Sequence, residues 1–262
     1  MALGRIDQYL IDFYRRDLTA GVLTREQALD HLCHIWAKIE GFHEVTNICI
    51  GGLTPEGRDA ANELSYLVLE ATRLVRSPST NLSARLHAGS SDEFHLACID
   101  VIRVGIGFPA IFNDEVTVPM LRKLRVSAAV ARDYCMVGCV ETLLSGRQQA
   151  WSDGRFDLHL AADKVFDRLP EFADFDALWH AFEAQVEHDL QGYAERYNAM
   201  LEAYPVEQFP DPVLSAFTFD CIGRARDVNA GGAQFKRYHG VGMMGLGTIT
   251  DSMAAIKKLV YE

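Results

Sequence analysis

The sequence is poor in several things, and each shortage closes off a class of function. It has no excess of cations: 25 Lys and Arg stand against 36 Asp and Glu, a formal net charge of −11. A nucleic-acid surface needs clustered Lys and Arg to neutralise phosphates, so this balance argues against a nucleic-acid partner. No apolar run approaches the length of a membrane span, and no basic segment followed by an apolar stretch opens the chain. The expected setting is the cytoplasm, with no membrane partner. Cysteine is sparse as well. Six in 262 residues, at positions 33, 49, 98, 135, 139 and 221, are too few for a disulfide scaffold and read as reduced thiols. Internal repeats and low-complexity linkers are lacking, so residues 1–262 are expected to form one continuous segment.

What is present is an alternation of two periods. Residues 6–36 carry helical spacing as two helices broken near Gly21, the second opened by the capping box Thr24-x-x-Gln27. Residues 45–50 read as a short apolar strand ended by Gly51-Gly52. Helical spacing returns at 62–76, where Leu64, Leu67, Val68, Ala71 and Leu74 share a side. Further strands are expected at 82–86 and 107–112. Further helices are expected at 93–104, 116–124, 157–165, 175–201 and 250–260. Short apolar strands alternating with helices predict an α/β fold with buried parallel strands.

Several motifs compete for a functional reading. Gly240-x-Gly242-x-x-Gly245 has dinucleotide-fingerprint spacing, but polar residues 234–239 precede it where an apolar strand should stand, so close packing is the expected use. His31, Cys33, His34 and His43 lack a second ligand pair at a zinc-like spacing, and no metal is expected. Cys135 and Cys139 are not a C-x-x-C pair, which excludes a thioredoxin-type motif. Locally, Cys139 reads equally as a structural thiol or a reactive one. Glu141 tips the reading: in extended backbone, residues i and i+2 share a face, so the thiol and carboxylate are expected to enter one cavity. Burial there would raise the carboxyl pKa and suit it to proton transfer. Cys135 is expected to serve packing. Asp153, in Trp151-Ser152-Asp153-Gly154, is either an Asp-Gly turn or a third polar group of the same site.

Gly138-Cys139-Val140-Glu141 resembles the thiyl-radical loop of glycyl radical enzymes related to pyruvate formate-lyase. The likeness extends in family order through Gly4-Arg5-Ile6-Asp7-Gln8-Tyr9, Gly51-Gly52, Asp59 to Tyr66, Asn81-Leu82-Ser83-Ala84-Arg85, Gly107 to Glu115 and Asp251 to Lys258. The resemblance implies part of a barrel of two parallel half-sheets wrapped by helices, incomplete at both ends. It implies a lyase in which a thiyl radical on Cys139 abstracts hydrogen and Glu141 acts as general base. Val140 follows Cys139 where pyruvate formate-lyase has a second cysteine, so acyl-cysteine chemistry is not implied. Asp153 stands where glycerol and propanediol dehydratase-like members place a substrate-binding Asp, which points to a hydroxylated small molecule. Thr142 replaces the proline of many such members. A decarboxylase, or a C–N or C–S lyase, would start from the same radical.

The resemblance implies no bound cofactor. It implies instead a glycyl radical on a glycine outside this chain, installed by a radical-SAM activating enzyme, and a homodimer when complete. Gly192-Tyr193 lies in helical spacing and does not match the glycine-radical loop. The expectation is therefore a central fragment, inactive alone; the alternatives are a non-catalytic remnant or one chain of a split enzyme.

Overall fold

The computed structural model describes residues 2–42, 45–148, 154–203, 208–236 and 240–262. They cluster as two compact units, Met1–Trp151 and Ser152–Glu262.

The first unit is built on β1 (Ala2–Arg5), α1 (Ile6–Tyr9), α2 (Ile11–Thr19), α3 (Arg25–Gly41), β2 (Thr46–Gly51), α4 (Glu63–Val75), β3 (Thr80–Leu86), α5 (Asp92–Ile102), β4 (Ala110–Asn113), α6 (Asp114–Lys123), α7 (Ala128–Arg132), β5 (Tyr134–Val137) and β6 (Glu141–Leu144). The first four strands form a parallel sheet in sequential order. Parallel neighbours require crossovers, and α4 and α5 supply two of them. Helix starts follow local chemistry. Thr24 and Gln27 exchange reciprocal hydrogen bonds at the start of α3, as do Asn62 and Ser65 at the start of α4.

Strand alternation divides the sheet into two faces. Ile48, Ile50, Leu82 and Ala84 pack with Leu64, Leu67, Val68 and Trp36 in the main apolar core. Trp36 is fully buried, and its indole N–H donates to Thr72 Oγ1 at 3.0 Å. The opposite face carries Asn47, Cys49 and Gly51 in register with Asn81, Ser83 and Arg85. β5 and β6, an antiparallel pair, pack over β1 and β2 through β5.

The second unit contains β7 (Gly154–Asp157), α8 (Leu158–Phe166), a 3₁₀ turn (Leu169–Glu171), α9 (Phe175–Ala203), α10 (Pro212–Ala216), β8 (Val241–Met244), α11 (Leu246–Ile256) and a π turn (Lys257–Tyr261). Its main core joins Leu158, Ala161, Ala162 and Val165 to Leu178, Phe182, Ile249 and Met253. β7 and β8 pair in parallel. Within the glycine-rich stretch, Gly245 is used for close packing, as expected, while Gly242 has room for a Cβ. Gly245 has φ +87, and a Cβ there would lie 2.3 Å from the His159 ring. Gly192-Tyr193 is helical, within α9.

Candidate functional site

The stretch that carries Cys139 hangs on two buried arginines. Arg85, at the end of β3, forks onto both oxygens of Asp114 at 2.9 and 2.7 Å, and neither side chain is exposed. Its remaining donors hold the carbonyls of Arg132 and Tyr134, each at 2.8 Å. The Tyr134 ring lies 3.8 Å beneath the guanidinium, and its hydroxyl donates to Asp114 Oδ1 at 2.7 Å. Arg5 adds bonds to Arg132 O and Asp133 Oδ1, and to the carbonyls of Gly51 and Leu53. Charged donors that find carbonyls and carboxylates in this way fix the direction in which β5 leaves α7.

β5 then carries Cys135, fully buried as expected, whose thiol burial pushes up to about 11. Residues 138–140 turn the chain into β6. Gly138 sits at φ +60, a left-handed conformation that residues with a Cβ adopt at a cost. Asn81, from β3, donates its amide N–H to the carbonyls of both Gly138 and Cys139. All six cysteines lie among the described residues, and Cys139 alone is exposed.

The local shape differs from the extended strand expected from the sequence. Cys139 lies in the turn and Glu141 is the first residue of β6, so i, i+2 parity does not apply between them. Glu141 Oε2 instead accepts from the Val140 N–H at 3.1 Å, closing the turn on itself. Among the described residues, the cleft beside Cys139 is about 760 Å³ and is walled by Val45, Pro78, Phe108, Ala110, Val137 and Val140 together with Asn47, Asn81 and Gly138. Glu141 is not part of that lining. Asp153 lies outside the described residues, as does His43. His31 and His34 are exposed on α3, where His34 Nδ1 contacts the Asp30 carbonyl.

Reasoning from sequence missed Asn47, Asn81 and the Arg5–Arg85–Asp114–Tyr134 network. A signal was available for Asn47, a polar side chain inside the apolar stretch 45–50, since a polar side chain buried in a strand requires a partner or a purpose.

The pyruvate formate lyase-like family model matches residues 1–262, and the chain belongs to that family. Probable dehydratase YbiW of Escherichia coli (strain K12) is 33% identical over 303 residues, which cover 100% of this chain and 37% of that protein. A solved structure from work on 1,2-propanediol dehydration in Roseburia inulinivorans matches with a TM-score of 0.82 and 32% identity, covering 100% of this chain and 34% of the other. The glycerol-bound B12-independent glycerol dehydratase of Clostridium butyricum matches with a TM-score of 0.81 and 30% identity, covering 100% and 36%. The chain thus spans a little over a third of the length of these proteins. Its α/β fold, with the four-stranded parallel sheet, is that of a part of the glycyl radical enzyme barrel, as the motifs led one to expect. Among the described residues, no helix is long and apolar enough to cross a membrane.

Proposed function

We propose that this chain is the cysteine-bearing segment of a glycyl radical lyase that dehydrates a small hydroxylated molecule. One observation carries the reading. Cys139 is the single exposed thiol of the chain, on a turn tied down by Asn81 at the carbonyls of Gly138 and of Cys139 itself, and bordering an apolar cleft. A hydrogen-abstracting sulfur needs that combination of access and fixed position. The probable dehydratase YbiW and the glycerol dehydratase, both similar to this chain, support the reaction class.

In this reading, a glycyl radical outside the 262 residues, installed by a radical-SAM activating enzyme, would supply the radical equivalent, and Cys139 would give up its thiol hydrogen atom to become the thiyl. The Cys139 thiyl then abstracts a hydrogen atom from a hydroxyl-bearing carbon and becomes a thiol again. Glu141 takes the proton of that hydroxyl, leaving a ketyl radical anion. Expulsion of the neighbouring hydroxide, which receives the proton from Glu141, releases water. The product radical recovers a hydrogen atom from Cys139. Glu141 is held by one backbone hydrogen bond at a partly exposed position, so a rotamer change frees it for this work. Asp153 is assigned to substrate binding on the resemblance alone.

The test uses the full polypeptide that carries this sequence, purified without oxygen and treated with a radical-SAM activating enzyme and S-adenosylmethionine. A glycyl doublet by EPR in both wild type and Cys139→Ser, with turnover of glycerol or propane-1,2-diol in wild type alone, is expected. Turnover that survives Cys139→Ser overturns the assignment of Cys139. A doublet with no turnover of any hydroxylated substrate overturns the dehydratase reading.

A further inference from the structure

Strand β3 meets the stretch that carries Cys139 at two places, and the two are matched. Asn81, Ser83 and Arg85 alternate along β3, so they share the face of the sheet opposite the main apolar core. Arg85 Nη1 donates to the Tyr134 carbonyl at the start of β5. Asn81 Nδ2 donates to the Cys139 carbonyl and, at 3.4 Å, to that of Gly138, just past the end of β5. The donors stand four residues apart on β3, and Tyr134 and Gly138 stand four apart as well, about 13 Å of extended backbone in each case. A side chain of β3 therefore fixes each end of β5. The Gly138 and Cys139 carbonyls belong to the two peptide groups that flank the Cys139 Cα. Because each peptide is planar, holding both sets the direction in which the Cys139 side chain leaves the backbone.

Asn81 makes these contacts at a cost. It is 6% exposed, and its Oδ1 is buried with no hydrogen-bond partner among the described residues. The two carbonyls can only accept, so they claim the NH₂ end and leave that oxygen unpaired, a loss of about 1–3 kcal/mol. Valine would suit the strand and avoid the loss, but it would leave the turn without this tie. The tie matters because residues 138–140 lie outside the strands and Gly138 turns through a left-handed conformation. Backbone with glycine's freedom has to be restrained from elsewhere. We propose that Asn81 is a positioning residue for the Cys139 sulfur, acting through the backbone on either side of it. The inference rests on the reading of Cys139 as the hydrogen-abstracting thiol. In that reading, displacing the sulfur by about 1 Å slows the chemical step by up to about a hundredfold, while substrate affinity, set by other groups, stays the same.

The test uses the full polypeptide that carries this sequence, activated as above. Asn81→Val removes the donors and keeps a side chain suited to the strand. Its glycyl doublet by EPR, and its KM for the alcohol that wild type turns over, should match wild type, while kcat falls about tenfold or more. A purely structural role would lower the doublet along with kcat. Hydrogen exchange followed by mass spectrometry supplies a readout that needs no turnover. Amides across residues 138–141 should exchange about tenfold faster in the variant, the scale of one lost hydrogen bond, with those of β2 unchanged. Asn81→Ser, too short to reach both carbonyls, repeats the test if circular dichroism shows the valine variant unfolded. An unchanged kcat, a raised KM at unchanged kcat, a kcat loss matched by loss of the doublet, or unchanged exchange at 138–141 would each overturn the assignment. The two readings fail separately. Turnover that survives Cys139→Ser removes the role of Cys139, while faster exchange in Asn81→Val leaves the tie standing. Wild-type kcat in Asn81→Val beside an inactive Cys139→Ser removes the positioning role alone.

Discussion

The two units of the chain bury different things. Among the described residues, every buried polar or charged side chain except Thr218 belongs to the first unit, including Arg5, Asp7, Asn47, Asn81, Ser83, Arg85 and Asp114. The main core of the second unit is Phe, Leu, Ala, Val, Ile and Met. An apolar core holds helices together without dictating where any one atom sits, because hydrophobic attraction is non-directional. Fixed hydrogen bonds do dictate it. The unit that carries Cys139 has an apolar core too, and adds to it a second interior of directional contacts, many of which converge on the strand leading to the thiol.

That contrast can be broken or sharpened by substitution. The largest effect is expected for Arg85→Met, which leaves Asp114 buried without its partner. It should cost about 3–5 kcal/mol in denaturant unfolding of the first unit. A loss below about 1 kcal/mol would show that the charged interior is dispensable. Leu178→Ala, a fully buried side chain in the apolar core, should cost about 2–4 kcal/mol while leaving Cys139 alkylation unchanged. If instead it altered the labelling rate of Cys139, the two interiors could not be treated as independent.

A third test uses pH. Asp7 is wholly buried, and burial pushes its carboxyl pKa up, against the hydrogen bonds from Ser65 and Gly51 that lower it. A folded-state pKa above the unfolded one means that the folded protein holds this proton more tightly. The stabilisation is complete below the ordinary aspartate range near 3.9 and is lost as pH rises through the raised value. Denaturant melts across that window should show wild type losing stability with rising pH relative to Asp7→Asn. The opposite slope would mean that the hydrogen bonds outweigh burial. The smallest effect is expected for Arg15→Ala. This removes an exposed pair with Glu63 at 2.6 Å, worth under about 1 kcal/mol and weaker still in high salt.

Much of this fold was legible because periodicity is local. The helices at 25–41, 63–75 and 175–203 and the strands at 46–51 and 80–86 coincide with runs of the matching period, and the Thr24 capping box forms as written. The four-residue strands at 2–5, 134–137, 141–144, 154–157 and 241–244 were not visible. At that length period 2 is indistinguishable from chance, and their pairing depends on distant partners. Cys139 and Glu141 stood out as residue types, yet their geometry did not, since parity counting presumes extended backbone and Gly138 takes a left-handed turn instead. Asn47 could be seen as a polar residue in an apolar strand, whereas Asn81 precedes the stretch 82–86 that read as one. That they are neighbours follows only from the register of β2 against β3.

The distribution of thiols has a consequence for how such a protein ages. Burial raises the thiol pKa of Cys49 and Cys98 to about 12 and of Cys135 to about 11, and moves those of Cys33 and Cys221 upward too. A protonated, sheltered sulfur is a poor target for peroxide, so the four buried ones, Cys49, Cys98, Cys135 and Cys221, should stay intact under oxidative stress, with the half-buried Cys33 next in order. Damage is steered instead toward the exposed sulfur at residue 139. A sulfinic or sulfonic acid there would leave the fold in place while ending the chemistry proposed for Cys139, producing a chain that looks sound by every measure of stability and no longer offers a thiol.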